Sequence, residues 1–351
     1  MIRTGSLFAT VAVTAALIAG PGPDPALAQM QLDMAAFGGG ASKTWQDAII
    51  TPFQKETGIT VRLHDMDSPE AALRAQAGRP QYHVVLVETA SGSALISEKL
   101  LTKLDPADYP ELTGVPKKAQ LYSADNELMG ISVYTIGYGI GVNTDLAKTS
   151  DFPSWNTLAD PKWKGKLGIT RPVYSSILDL TMMSFANGGT EENIQPGLEK
   201  MKAFIQNANT IVSSTAQTSQ VLMSGEVTAI PHFHTRIFDM RRTGQKQVDM
   251  SIPSEGTLAI NYAVVVPLGI TVTPELKKFL NYATMLAPQM QAFKLAGYLP
   301  LNPNADLSGP NEGNMDVEKL RKSLRSADPR ILGAKQKERV NLLEQIFAGT
   351  K

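Results

Sequence analysis

The chain of 351 residues contains no cysteine, which excludes a disulfide scaffold, a cysteine nucleophile, a cysteine-ligated zinc and an iron–sulfur cluster. It carries no excess charge: 33 Lys and Arg balance 33 Asp and Glu. Bulk attraction to nucleic acid or to an anionic membrane needs a strong basic excess, so neither is expected as a partner. No unbroken run of apolar residues reaches the length of a membrane-crossing helix. A Gly-x-Ser-x-Gly elbow and a His-Glu-x-x-His pair are both missing, which argues against a secreted hydrolase. Repeats, low-complexity tracts and blocks of like charge are absent as well. What is present is a globular composition, 43% hydrophobic and 19% charged, long enough for one large or two medium domains.

The N-terminus reads as an address. Arg3 is the only charge before Asp24, and an apolar run (LFATVAVTAALIAG) follows it. Pro21, Pro23 and Pro25 break the run, and Ala26-Leu27-Ala28 supplies a small-x-small exit. These are the parts of a secretory signal, predicted over residues 1–28 with cleavage after Ala28. No cysteine follows to take a lipid anchor, so a soluble protein of a bacterial periplasm is expected.

Downstream, short apolar runs alternate with amphipathic stretches. Strands are predicted over 31–37, 59–64 and 82–88 and helices between them, a pattern that specifies a mostly parallel sheet covered on both faces. Thr44 is the expected cap of the first helix, and Gly58 its end. Residues 131–143 (ISVYTIGYGIGVN) and 258–267 (LAINYAVVVP) read as extended. Helices at 317–325 and 335–347 are expected to pack on the outside.

Several segments together resemble the extracellular solute-binding proteins of ABC importers, near the polyamine-binding branch. They are FQKETGITV (53–61), YHVVLVE (82–88), YGIGVNTD (138–145), SWNTLADPKWKGKLGIT (154–170), LMSGEV (222–227), IPSEGTLAINYAVVVP (252–267) and AGYLPLNP (296–303), in family order across nearly the whole predicted mature chain. The resemblance implies an α/β fold of two lobes (a type II periplasmic binding fold), with doubly wound sheets joined by two crossing strands. Lobe 1 would comprise residues 29–134 plus 261–351, and lobe 2 residues 135–260. It also implies a non-enzymatic function without cofactor: a monomer captures a small solute between the lobes and delivers it to a membrane permease.

Ligand groups in this family come from loops at strand ends, which is also where a doubly wound sheet opens its crevice. The first such loop holds Gly39 and Gly40, whose backbone can approach a ligand closely, or which form a plain turn. The second holds Thr89 and Ser91, as ligand donors or as a helix cap. The third is TRPVYSS (170–176). Polyamine binders carry acidic residues here, whereas this chain has Arg171, Tyr174 and Ser175. A guanidinium beside a cationic ligand is repulsive, but it suits a carboxylate or phosphonate. The fourth, PHFHTR (231–236), places Phe233 and His234 at family ligand positions. Paired His232 and His234 raise the question of a metal, but two ligands fall short of the usual set, so none is expected. On the crossing strands, Tyr134 is a candidate contact, and Tyr262 stands where polyamine binders have an acid. The expectation is a ligand bearing an anionic group. Polyamine and ferric-ion binding by the same fold are the alternatives, and a secreted hydrolase is a remote one. The ferric-binding relatives use adjacent tyrosines, and no Tyr-Tyr pair occurs here.

Overall fold

The computed structural model describes residues 31–350. The predicted signal segment lies outside the described residues. Twelve strands form one continuous, curled sheet system. They are β1 (Gln31–Phe37), β2 (Thr60–Met66), β3 (Val84–Glu88), β4 (Leu121–Tyr122), β5 (Leu128–Asn143), β6 (Leu167–Thr170), β7 (Ala208–Val212), β8 (Ala229–Phe233), β9 (Val248–Ser251), β10 (Thr257–Val265), β11 (Leu299–Pro300) and β12 (Leu324–Arg325). The main path runs β2-β1-β3-β10-β5-β8-β6-β7. At one end β2, β1 and β3 are parallel, and at the other β8, β6 and β7 are parallel. Between them β10 and β5 are antiparallel to each other and to their outer neighbours β3 and β8. Two parallel α/β lobes are thus joined through two long strands, the type II arrangement expected.

The apolar runs explain why the first lobe forms. Side chains alternate across a strand. In β3, Val84 and Leu86 face one core with Met34, Trp45, Ile49 and Phe53, while Val85 and Val87 face a second core with Leu73, Leu95 and Leu121. Both faces are covered by helices, so both must be apolar, and the strand reads as an unbroken run.

Several boundaries differ from the sequence reading. The first helix begins at Gly40, passes through a π-helical turn (Gln46–Ile50) and ends at Thr57, with Gly58 in the left-handed conformation. Thr44 is not its cap: its hydroxyl donates to the Gly40 carbonyl one turn earlier. Strands β4, β7, β9, β11 and β12 were not expected: two of the five residues of β7 are exposed and its polar residues dilute the apolar signal, β4, β11 and β12 are only two residues long, and β12 takes the end of the helix expected over 317–325. The larger correction concerns the C-terminus. The helix Pro329–Gly349 does not simply cover the outside: it lies against the helix Thr89–Ser97 on one lobe and the turn Pro172–Ser176 on the other. Gly333 makes the first contact possible, since a Cβ there would stand 2.6 Å from the Ala90 carbonyl oxygen.

Candidate functional site

Where the lobes meet, the ends of β1, β3 and β8 converge on the middle of β5 and β10 around a cavity of about 340 Å³. Its wall is aromatic. Tyr134 on β5 and Tyr262 on β10 are partners across the ladder, with ring centroids 5.3 Å apart. Tyr298, which follows the left-handed cap Gly297, stands 4.3 Å beyond Tyr134, and Phe37 meets Tyr262 edge to face. The hydroxyls are fixed: Trp45 Nε1 donates to Tyr134 at 3.1 Å, Tyr262 donates to Glu88 Oε1 at 3.0 Å, and Tyr174 pairs with Thr215 Oγ1. Burial pushes the phenols of Tyr134 and Tyr262 well above their ordinary range, so they stay protonated.

The charges in this wall are few and placed apart. Glu88, the last residue of β3, is half-buried, and burial pushes its carboxyl up despite the Tyr262 bond. Arg236, in the first turn of the helix His234–Arg242, is half-buried and forms no ion pair among the described residues. Its guanidinium reaches across the cleft toward the first loop: a Cβ on Gly40 would lie 3.5 Å from its Nη1. Arg339 comes from the C-terminal helix, is buried, and donates to the Glu191 carbonyl. Asp67 is exposed on the rim.

Of the residues singled out from sequence, the cavity brings together Ser91, Tyr134, Tyr174, Phe233 and Tyr262. The others stand elsewhere. Arg171 is exposed and outside the lining, because it precedes the turn opened by Pro172; its backbone is anchored, the N–H donating to the Val212 carbonyl and the carbonyl accepting from Tyr174 and Ser175. Ser175 is buried behind the wall, bonded to Thr170. Thr89 is buried at the start of its helix, and Gly39 is an exposed turn residue with φ of 70°. Gly40 borders a neighbouring recess that it shares with Arg236.

His234 is a brace rather than a cleft group. Gly137 N–H donates to its Nδ1 at 2.7 Å, and its Nε2–H donates to the Gly297 carbonyl at 2.7 Å. That fixes a neutral tautomer, and burial lowers its pKa to about 4. His232 bonds Ser219 and is lowered to about 3. Among the described residues no group of three or more His, Asp or Glu is placed to hold a metal ion.

Two α/β lobes on crossing strands around a small, aromatic, charge-bearing cleft define a solute-binding protein of the periplasmic type. The chain belongs to the bacterial extracellular solute-binding protein family, whose model matches residues 48–319. It is 24% identical over 280 residues to spermidine/putrescine-binding periplasmic protein 1 of Haemophilus influenzae, covering 76% of this chain and 75% of that one. Among solved structures it superposes on an ABC transporter protein of Clostridium perfringens with a TM-score of 0.75 at 18% identity, over 90% of this chain and 99% of the other. The spermidine/putrescine substrate-binding protein PotD of Streptococcus pneumoniae superposes with a TM-score of 0.74 at 18% identity, over 92% and 100%. No helix among the described residues is long and apolar enough to cross a membrane.

Proposed function

We propose that this protein is the non-enzymatic capture component of an ABC importer, exported by a signal cleaved after Ala28, and that its solute carries an acidic group. The proposed lobes are residues 29–134 plus 261–351 and residues 135–260, with the segment 317–325 crossing to pack on the second, and they close on the solute before delivery to the permease. One observation carries the ligand reading: Arg236 is a half-buried guanidinium in the cleft wall without a carboxylate partner among the described residues. A cation left unpaired as a cleft closes is costly, whereas a carboxylate or phosphonate docked on it forms charge-assisted, bidentate bonds. Arg236 thus takes the role expected of Arg171, with Arg339 as a second positive group on the far wall.

The neighbours' polyamine ligands fit this wall poorly, because both guanidiniums repel a diamine that has only Glu88 to pair with inside the cleft. Ferric binding is opposed by phenols that burial keeps protonated. Purified mature protein screened by thermal shift against acids, amines and metals should be stabilised by acids. In calorimetric titration with the best acid, Arg236→Ala should lose about 2–5 kcal/mol of binding free energy, as when one partner of a buried charge pair is removed. Arg236→Lys should recover only part, since the planar fork is lost. Micromolar binding of putrescine or spermidine without binding of any acid would refute the reading.

A further inference from the structure

The cleft holds a second pole that an acid alone does not use. Glu88 is the only carboxylate among the lining residues that is not on the exposed rim, and it has no basic partner among the described residues. One oxygen accepts from Tyr262, which leaves the other for a donor from the cavity. Beside it stand Tyr262 and Tyr134, with ring centroids 5.3 Å apart. Between Glu88 and Arg236 runs a row of three tyrosine rings, Tyr262, Tyr134 and Tyr298, stepping 5.3 and 4.3 Å. Tyr262 is bonded to Glu88 at one end of the row, and Tyr298 feels the charge of Arg236 at the other. Tyr174, across the cleft, lies within reach of both charges.

We infer that the ligand is a zwitterion with separated poles, a linear solute whose protonated amine docks on Glu88 and whose carboxylate docks on Arg236, with its apolar spacer lying along the tyrosine row. The inference rests on the reading of Arg236 as the anion partner and adds the cation. Each pole answers a different unpaired group, so neither a plain acid nor a diamine satisfies both. An α-amino acid carries its charges on one carbon and cannot span the row. The cavity volume, about 340 Å³, is at the small end for ligand sites and suits a short chain. Burial already pushes the Glu88 carboxyl up, and an ammonium beside it restores the ionised form.

The test is calorimetric titration of the mature protein with four matched probes: linear ω-amino acids, the corresponding monocarboxylates, the corresponding α-amino acids and linear diamines. An ω-amino acid should bind at least about tenfold more tightly than its matched acid, the worth of one charge-assisted pair. Glu88→Gln, shown to be folded by its thermal transition, should abolish the preference for the ω-amino acid over its matched acid. If acid and ω-amino acid bind equally and Arg236→Ala weakens both, the anion reading stands and the zwitterion is overturned. Tightest binding by diamines, with no acid bound, overturns both. Tightest binding by an α-amino acid, or no binding of any ω-amino acid, overturns the separated poles.

Discussion

At the scale of single residues, the buried titratable groups set a pH profile that the ligand does not control. Asp179 is fully buried, accepts from the Tyr138 hydroxyl at 2.8 Å and has its second oxygen unpartnered. Burial raises its pKa from 3.8 to about 7. The folded state therefore holds a proton that the unfolded state releases, and this contribution to stability falls as pH rises from about 4 to 7. His232 and His234 have the opposite sign. Their folded pKa values are lowered to about 3 and about 4, so their contribution is present above 6.5 and lost as pH falls through that window. Below 6.5 the gain from the two histidines is opposed by the loss from Asp179 and from Glu88, whose carboxyl burial also raises; above 6.5 the histidines are neutral in both states while Asp179 still titrates, so stability should dip between pH 6.5 and about 7. Asp179→Asn should remove the dip. Chemical denaturation should find the variant more stable than wild type at pH 8, by up to roughly 2–4 kcal/mol, and nearly equal to it at pH 4. Equal stability of the two at pH 8 would mean that the acid titrates normally.

The same scale shows how much of the site was legible. Tyr134, Tyr262, Phe233 and Ser91, expected from the loop and crossing-strand positions of the resembled family, do line the cavity. Arg171 stands outside the cavity lining, because proximity in a loop does not fix direction. Pro172 sets the backbone so that Arg171 caps a turn and its side chain leaves for solvent. Arg236 was within reach: it closes the PHFHTR segment, as the third helical residue past β8. Glu88 also gave a signal, as a carboxylate at the carboxyl end of a buried parallel strand, where crevices open.

At the scale of elements, the C-terminal helix was the hardest to read. Its own sequence predicts an amphipathic surface helix, and nothing local says that its packed face spans two lobes. The one hint lies in spacing: Leu332, Arg339, Leu343 and Phe347 share the helical face that packs inward, and Arg339 interrupts an otherwise apolar stripe. Gly333 lets this helix approach the Ala90 carbonyl. Gly333→Val should force the helix outward, because its added carbon would fall within 2.6 Å of backbone. Ligand affinity should drop about tenfold or more, since Leu332 and Arg339 move with it, and the thermal transition should fall by only a few degrees. A variant with unchanged affinity would show that the helix does not shape the cleft.

At the scale of the whole molecule, the lobes are joined by hydrogen-bonded strands and not by loose linker. Their cores were legible from alternation and apolar runs, but the fit between them was not, since it depends on contacts between residues far apart in sequence. Closure is expected as rotation about β5 and β10, with each lobe rigid. Small-angle scattering should register a smaller radius of gyration at saturating ligand, and identical curves with and without ligand would count against rotation.

One irregularity in those strands has a mechanical consequence. The β5–β10 ladder shifts register between Tyr262 and Ala263, so the residue beside the bulge is itself part of the cleft wall. A bulge concentrates twist and bending in a paired ribbon. In the proposed closure the axle passes through the cleft wall, and a solute too long or too short for the space between Glu88 and Arg236 would turn the lobes to a different angle. The permease would meet molecular length already converted into shape, and could reject a misfit by geometry without ever contacting the solute.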